Sequence, residues 1–514
     1  MLTWVGIEIY LNLDGLILSH YTPEVGIQEI FHENGTGESL AKRNSAYIVQ
    51  TTSMAANNQN KSHQKNTLQI PPPQQQFPVL SNYRKEKDDG SWLTVKDNFL
   101  NLSLYSIFWD NRTELNKGPF LRVLAISRSD NNVSRNDEPP YVLTCYVSCE
   151  PEGGVHEVQV DASQSVLIYN PRFMVHVAYE RHVFACQLWH APCHAPHRAV
   201  VLISPSSNTS APELLNETNS LMVEYPAQLG EVALLDVGVC VSPLYGTLNP
   251  YRLIEWLEML RLLGVDKIVM YNHSVDETTS QVLRNYGERG LVELRQIGQE
   301  GVLPLLPSDA FRADVYTLGP VALSDCMYRH MFEFQWMAVL DLDEVILPRQ
   351  HRTYRDLLRK LEESSSAKKQ QQQLTGFKFI HVDFVLDPVL RPNPDVEVPW
   401  QMTMSRFRQR LSVQPSTFHV KSIINPRYCT AMHYHVCRGY IPNAVKSRPV
   451  SIEYAMDCHY RSKLCPEYAH DFGDCQKALG FTVMITDNIS LPFREQLRQQ
   501  IVTQLEIFHL ENIA

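Results

Sequence analysis

A run of apolar residues that stops on two aspartates constrains the fold of this chain more than any other feature. Residues 336–340 are five consecutive apolar side chains, the pattern of a fully buried central strand. Asp341 and Asp343 follow at once. Because residues i and i+2 of a strand point to the same side, we expect both carboxylates to reach one point at the carboxyl end of this strand. Open α/β sheets bind their ligands at that edge.

Two carboxylates at such an edge predict a divalent-metal site. Hard oxygen ligands suit Mg²⁺ or Mn²⁺, with a substrate diphosphate completing the coordination shell. The Asp-x-Asp pattern alone is not specific, because a chain of this length contains about one by chance. The alternative is a solvated strand end with two turn-forming aspartates. The strands and helices around the pattern favour the metal site.

Strand-like and helix-like patterns alternate on both sides of this stretch. The order before it is β-α-β-α-β, which is typical of a parallel, nucleotide-binding sheet and gives an α/β fold class. A further helix leads into the Asp341 strand, and another helix and strand follow it. The predicted strands are 232–241, 267–271, 290–294 and 376–385, and the predicted helices are 251–263, 278–286, 314–334 and 350–363.

The composition changes several times along the chain, which predicts its domain boundaries. Residues 1–90 show no periodicity and include a Pro- and Gln-rich segment, typical of a disordered stem or low-complexity tail. Short β-rich runs separated by turn residues predict a β-sandwich-like domain at 91–204, followed by a Ser/Asn/Thr/Pro-rich linker at 205–230. We assign 231–495 to the α/β domain and 496–514 to a carboxyl-terminal helix or tail.

Charge and hydropathy exclude two classes of protein. The 514 residues carry a formal net charge of −10, whereas binding to phosphate backbones requires concentrated Lys and Arg, so we expect no nucleic-acid partner. No stretch reaches the roughly 18 uncharged apolar residues of a membrane span. The first 18 residues are interrupted by acidic side chains and lack a basic segment, so we interpret them as neither signal peptide nor anchor.

Cysteines and glycosylation motifs indicate a secretory compartment. Most of the eleven cysteines fall into close groups without paired C-x₂-C spacing, which favours disulfides over a zinc site. Nine Asn-x-Ser/Thr sequons occur, most of them at or before Asn216. A secretory compartment requires a targeting segment that we do not recognise here, so we expect a truncated or alternative start.

Several short motifs together resemble one enzyme family, glycosyltransferase family 92, over about residues 95–490. They occur in the family's order and are specific as a set. The motifs are Leu253-Ile254-Glu255-Trp256-Leu257-Glu258, Leu263-Gly264-Val265-Asp266-Lys267, Tyr271-Asn272, Asp341-Leu342-Asp343-Glu344, Lys421-Ser422-Ile423-Ile424 and His459-Tyr460-Arg461.

The resemblance implies a fold, a reaction and a location. The fold is GT-A, a Rossmann-like architecture for nucleotide-diphospho-sugars, here preceded by the smaller β-rich domain. The reaction is inverting β-galactosyl transfer from UDP-galactose, with Mn²⁺, onto a fucose or galactose of a glycoprotein glycan. Family members are type II Golgi membrane proteins. This chain departs from them in its missing anchor and in a Gln-rich spacer near residue 370.

The resemblance also implies roles for site residues. Asp343 is the direct metal ligand, and Asp341 reaches the ribose of the donor, or the metal through water. A carboxyl-terminal histidine supplies a third metal ligand, for which His459 is the candidate and His433 and His435 are rivals.

Two basic residues and one acidic residue complete the predicted site. Lys421 and Arg461 are candidates to bind the donor's diphosphate through charge-assisted hydrogen bonds. Inversion requires a carboxylate base on the acceptor hydroxyl. We select Asp383, whose predicted strand ends at the cleft, from a set that also includes Asp387, Asp395, Glu397 and Asp457.

Two other functions share parts of this pattern. A haloacid-dehalogenase-type phosphatase has a buried strand ending in Asp-x-Asp, and Asp341 would then be its nucleophile. That motif should open its domain, whereas here a β-α-β-α unit precedes it. A non-catalytic glycan-binding protein would rely on the β-rich domain, but it has no reason to keep Asp341, Asp343 and His459 together.

Overall fold

The protein is described here from a computed structural model. The described residues are 92–96, 101–115, 118–128, 142–149, 154–169, 179–188, 193, 195–204, 215, 219–227, 234–298, 311–364, 373–386, 402–404, 406–412, 420–461 and 484–510. The predicted stem at 1–90 and most of the predicted linker at 205–230 lie outside them. The domain boundaries themselves stay a prediction.

The amino-terminal described part forms one sheet of nine antiparallel and parallel strands, in the order β5-β4-β8-β9-β2-β3-β7-β6 with β1 paired to β2. Their bounds are β1 Leu93–Lys96, β2 Asn101–Asp110, β3 Phe120–Arg128, β4 Val142–Cys149, β5 Val155–Gln159, β6 Val166–Tyr169, β7 Tyr179–Gln187, β8 Pro196–Ser204 and β9 Leu221–Glu224.

This sheet curls over a core of its own. Alternate side chains of β2, among them Leu102 and Leu104, are fully buried in that core. Disulfides Cys145–Cys186 and Cys149–Cys193 connect β4 to β7 and to the segment after it. Since β4 and β7 are far apart in the strand order, the two ends of the sheet must face each other.

The second sheet has twelve strands, in the order β11-β12-β10-β14-β18-β16-β17-β23, with β13, β15, β21 and β22 paired beside this path. Strands β19 and β20 form a separate hairpin. The bounds are β10 Leu235–Val241, β11 Leu244–Gly246, β12 Lys267–Val275, β13 Val292–Gln296, β14 Phe334–Leu340, β15 Glu344–Pro348, β16 Gly376–Val385, β17 Gln409–Leu411, β18 Val420–Ile424, β19 Cys429–Met432, β20 Cys437–Tyr440, β21 Arg448–Val450, β22 Ala455–Arg461 and β23 Met484–Thr486.

Five α-helices are described, and they surround the parallel part of the second sheet. They are α1 Pro250–Leu262, α2 Glu277–Glu288, α3 Phe311–His330, α4 Tyr354–Ser364 and α5 Arg494–Ile507. Strands β10, β12, β13 and β14 pair in parallel, as the β-α-β-α-β pattern predicts. Strand β18 pairs antiparallel to β14, so the sheet is mixed.

Helix α3 ends earlier than predicted, because its last residues belong to the next strand. The sequence pattern extends a helix to residue 334, but α3 ends at His330 and Phe334 begins β14. A Cβ on Gly238 would lie within 2.4 Å of the Phe334 ring. The glycine therefore provides the space in which this ring packs onto β10.

Helix α1 has capping residues at both ends and makes a hydrogen bond to the start of β15. The side chain of Asn249 accepts hydrogen bonds from the amides of Tyr251 and Arg252, and Pro250 opens the helix. Gly264 follows the helix with φ of +78°, a conformation that favours glycine. The indole of Trp256 donates to the Glu344 carbonyl at 2.8 Å, which ties α1 to the end of the predicted site.

Strand β22 lies between β15 and β16 and aligns residues from distant parts of the chain. His459 lies opposite Glu344 in the antiparallel pairing with β15 and opposite Asp383 in the parallel pairing with β16. Asp457 lies opposite His381. Because residues two apart share a face, one face of these three strands gathers all five side chains.

A further hydrophobic cluster contains residues of both large sheets. Tyr105 and Phe108 of β2 are buried in the same cluster as Met327 and Tyr328 of α3 and Cys240 of β10. Along the described stretches of the chain, no helix has the length and apolar character to cross a membrane.

Candidate active site

The two aspartates of the Asp-x-Asp pattern lie in a turn. Strand β14 ends at Leu340 and β15 begins at Glu344, so Asp341 and Asp343 occupy the connection. The expectation that they share a strand face is wrong, since strand alternation ends where the ladder ends. Their position at the carboxyl end of a buried parallel strand is as predicted.

Asp341 is held by its neighbours on both carboxylate oxygens. Val241 of β10 lies opposite Leu340, so the next residues, Ser242 and Asp341, are adjacent, and the hydroxyl donates at 3.0 Å. The Lys421 ammonium lies 2.7 Å from the other oxygen. Burial acts to raise the pKa of Asp341, but Lys421 outweighs it and the pKa falls below its usual value.

Lys421 is a fully buried cation between two carboxylates. Its ammonium lies 2.8 Å from Glu344 in addition to its contact with Asp341, and its side chain is 0% exposed. Burial acts against the charged form, but the two carboxylates raise the pKa of Lys421 above its usual value. Burial also raises the pKa of Glu344, against the opposing effect of Lys421.

Asp343 contacts His459, as the predicted metal site requires. The carboxylate lies 2.9 Å from Nε2 of the imidazole. The backbone carbonyl of Asp343 accepts from the Tyr460 amide at 2.8 Å, which fixes the turn against β22. Burial acts to lower the pKa of His459, but the Asp343 carboxylate raises it above its usual value.

Asp383 and Arg461 lie beside the other nitrogen of His459. One Asp383 oxygen is 3.2 Å from His459 Nδ1 and 3.6 Å from the Arg461 guanidinium. Burial acts to raise the pKa of Asp383, but Arg461 and the nearby histidines hold it well below its usual range. Asp383 is therefore ionised, and its role as a base stays a prediction.

His381 and Asp457 also belong to this cluster. From the sequence, Asp457 is named only as an alternative base and His381 is not singled out. His381 Nδ1 lies 2.7 Å from Asp457, and Nε2 lies 2.5 Å from His459 Nδ1. Burial acts to lower the pKa of His381, but Asp383 and Asp457 raise it to about 10. The signal was available: each residue stands two positions before a selected one on the same strand.

Two donor sets within the described residues can hold a metal ion. The first joins Asp343 to His459 through Nε2. The second joins Glu344, His381 and His459 within 4.8 Å of one another. In the second set Glu344 already binds Lys421 and His381 already binds Asp457. The first set therefore fits a cation better, and a carboxylate with an imidazole suits Mn²⁺.

The rival histidines face other partners. His435 Nδ1 lies 3.1 Å from the Val420 carbonyl oxygen. His433 is 7% exposed, and burial holds its pKa well below the usual value. Asp343 contacts His459 and neither of these two in the described hydrogen bonds.

Cysteine placement partly departs from expectation. Disulfides are present, with Cys429–Cys437 and Cys240–Cys326 in the second sheet and its surroundings. Cys458, next to His459, is a free, buried thiol, so the prediction of disulfides from the close cysteine groups does not hold for this residue.

Comparison with known proteins identifies the family of this architecture. The sequence profile of glycosyltransferase family 92 matches residues 235–503, more than half of the chain. The chain belongs to glycosyltransferase family 92. The matched region begins at β10 and includes every residue of the site described above.

Individual relatives are similar over shorter segments. The galactan β-1,4-galactosyltransferases GALS3 and GALS2 of Arabidopsis thaliana are 29% and 26% identical, over 27% and 32% of this chain and 26% and 31% of their own. The glycosyltransferase family 92 protein F13G3.3 of Caenorhabditis elegans is 26% identical over 22% of this chain and 23% of its own. The matches thus span about a quarter to a third of these relatives.

Solved structures share little with this chain. A UTP-bound UGPase from Acinetobacter baumannii is 8% identical, with a TM-score of 0.20 over 53% of this chain and 94% of its own. A UDP-glucose pyrophosphorylase complexed with UDP-glucose is 10% identical, with a TM-score of 0.19 over 48% and 99%. These similarities are too low to bear on the fold.

Proposed function

We propose that this family 92 member is a metal-dependent, inverting galactosyltransferase with a GT-A catalytic fold. Its donor is UDP-galactose, its metal is Mn²⁺, and its acceptor is a fucose or galactose of a glycoprotein glycan. The names of the two plant relatives support galactose as the sugar. The mixed α/β sheet, with acidic residues after its central parallel strand, supports a nucleotide-sugar site.

One observation carries this proposal. The Asp343 carboxylate and the His459 imidazole, 116 residues apart, meet at 2.9 Å at the carboxyl end of β14. The Asp343 carboxylate has no need of this histidine to balance the charge of Asp341, since Asp341 and Lys421 already neutralise each other. In this proposal Asp343 and His459 hold the metal.

The protein's own residues then bind the donor and the acceptor. Ser242 and Lys421 fix the Asp341 carboxylate, which remains an acceptor for a ribose hydroxyl. Arg461 is the candidate for a diphosphate oxygen, and Asp383 for the base on the acceptor hydroxyl. The bound metal would neutralise charge on the departing nucleoside diphosphate.

Location is part of the proposal. Four disulfides among the described residues agree with an oxidising compartment. We propose a type II Golgi membrane protein, as the family resemblance implies. Sensitivity of the protein from secretory cells to an N-glycosidase is the readout, and an unchanged mobility would oppose this location.

The first prediction tests the metal-dependent reaction. The purified full chain is incubated with a panel of UDP-sugars, Mn²⁺ and fucose- or galactose-terminated glycans, and nucleoside diphosphate release is measured. We expect UDP-galactose to be used and chelator to abolish release. Asp343→Asn should abolish release too, while its melting temperature without metal stays within a few degrees, because the residue lies in a partly exposed turn.

A matched control is available in the same protein. Asp356→Asn changes an exposed aspartate near the start of α4 and should leave the reaction unchanged. Full activity of Asp343→Asn, or of the wild type in excess chelator, would contradict metal dependence. Release of phosphate from phosphate esters, with no use of UDP-sugars, would instead favour the phosphatase hypothesis.

A further inference from the structure

Below the contact between Asp343 and His459, a chain of hydrogen bonds continues into the protein. His459 Nδ1 lies 2.5 Å from His381 Nε2, and His381 Nδ1 lies 2.7 Å from Asp457. His459 and Asp457 are 2% and 0% exposed. These contacts join the site to a carboxylate that no solvent reaches.

We infer that His381 and Asp457 are positioning residues that hold the His459 ring in the orientation needed to bind a cation through Nε2. This inference rests on the proposed metal-dependent function. It adds to that proposal two residues that touch neither the metal nor the substrates.

The argument depends on the orientation of the His459 ring. Nε2 of this ring faces Asp343, and Nδ1 faces His381, which is held in turn by Asp457. Without the contact to His381, the ring loses a restraint on its rotation, and Nε2 is less firmly held towards the site. Such outer partners orient metal-binding histidines in many proteins.

Burial of Asp457 supports this role. A buried carboxylate costs free energy unless it is paired, and Asp457 Oδ2 has His381 as its hydrogen-bond partner. Its other oxygen is buried and, among the described residues, has no hydrogen-bond partner. Within the described residues, His381 is therefore the hydrogen-bond partner of this buried carboxylate.

Asp383 is the competing partner for His459. Its Oδ1 is 3.2 Å from the same Nδ1. However, this buried oxygen makes no hydrogen bond within the described residues, and it also lies near Arg461. The geometry therefore favours His381 as the hydrogen-bond partner of His459 Nδ1.

The test measures metal binding directly, without sugar nucleotide. The full chain is titrated with Mn²⁺, and free Mn²⁺ is counted by electron paramagnetic resonance. We expect His381→Phe, which keeps a ring without nitrogens, to weaken Mn²⁺ binding about 10- to 100-fold. His381→Gln retains an acceptor and a donor and should recover part of this loss. Asp457→Asn keeps a weaker acceptor and should give an intermediate loss.

A control separates positioning from stability. His330 is also buried and bound to a carboxylate, Glu333 at 2.6 Å, but it lies before β14, at the opposite end from the site. His330→Phe should lower the melting temperature and leave Mn²⁺ affinity unchanged.

The possible outcomes distinguish this inference from the proposed function. Wild-type Mn²⁺ binding with unchanged affinity in folded His381→Phe and Asp457→Asn overturns this inference alone. A larger loss in Asp383→Asn than in His381→Phe assigns the role to Asp383 and also overturns it. If the wild type binds no Mn²⁺, both this inference and the proposed metal-dependent function are wrong.

Discussion

The two aspartates of a symmetrical-looking motif have different environments. Asp341 is neutralised by Lys421 and fixed by Ser242, whereas Asp343 faces His459. A carboxylate whose oxygens already accept hydrogen bonds is a weaker candidate for direct metal binding than one that meets an imidazole. We therefore propose Asp343 as the metal ligand and Asp341 as a fixed acceptor for the donor.

The second prediction concerns His459. Replacing it with Ala removes one ligand from the proposed site, so the Mn²⁺ concentration for half-maximal activity should rise by more than about tenfold. The measurement is nucleoside diphosphate release as a function of Mn²⁺ concentration. His433→Ala and His435→Ala are the controls and should leave this concentration unchanged. A larger defect in His435→Ala would place the ligand there instead.

At the scale of elements, one antiparallel strand places a lysine beside the acidic residues at the end of a parallel strand. Strand β18 pairs with β14 so that Ile423 lies opposite Ala338, and its antiparallel direction carries Lys421 to the carboxyl end of β14. A buried ammonium thus reaches two acidic side chains, Asp341 and Glu344. Strand β22 does the equivalent for His459 by pairing with β15.

The third prediction tests the role of Lys421. Lys421→Met leaves two carboxylates without their buried cation, and the free energy of unfolding should fall by about 3–5 kcal/mol. Urea unfolding followed by circular dichroism measures this loss. Adding Glu344→Gln removes one of the stranded charges, so the double variant should be more stable than the sum of the single effects. Additive losses would show that the ion pair is not the cause.

At the scale of the whole molecule, helix α3 joins the two sheets. It contributes to the cluster shared with β2. Arg329, near the carboxyl end of the helix, binds Asp325 of the same helix and Glu224 of β9. The Cys240–Cys326 disulfide attaches the helix to β10, the strand beside β14. The β-rich sheet is therefore packed into the framework that supports the site.

The fourth prediction tests this covalent attachment. Replacing Cys240 and Cys326 together with Ala opens a link across 86 residues, and we expect the free energy of unfolding to fall by about 2–5 kcal/mol. Chemical denaturation of the purified chain measures the loss. Cys458→Ala is the control, since it removes a buried thiol that closes no loop, and its loss should be smaller. Equal losses would show that packing alone accounts for the effect.

The central strand, the parallel unit before it and the presence of disulfides follow from the sequence alone. Long apolar runs and helical stripes report burial directly, so β14, β16 and α1 were located to within a few residues. The motif residues, read against a known family, also singled out Asp343 and His459, which are in contact in the structure; their role as metal ligands stays a prediction. These features are encoded by neighbours along the chain, which is the range over which periodicity carries information.

Strand pairing decided the rest, because it joins residues that no local pattern relates. The turn between β14 and β15 gives Asp341 and Asp343 different partners. Only the pairing of β18 with β14 shows that Lys421 binds Asp341. The register of β22 between β15 and β16 brings His381 and Asp457 beneath His459. Register depends on packing over the whole sheet, so the residues beneath the site became visible only in the tertiary structure.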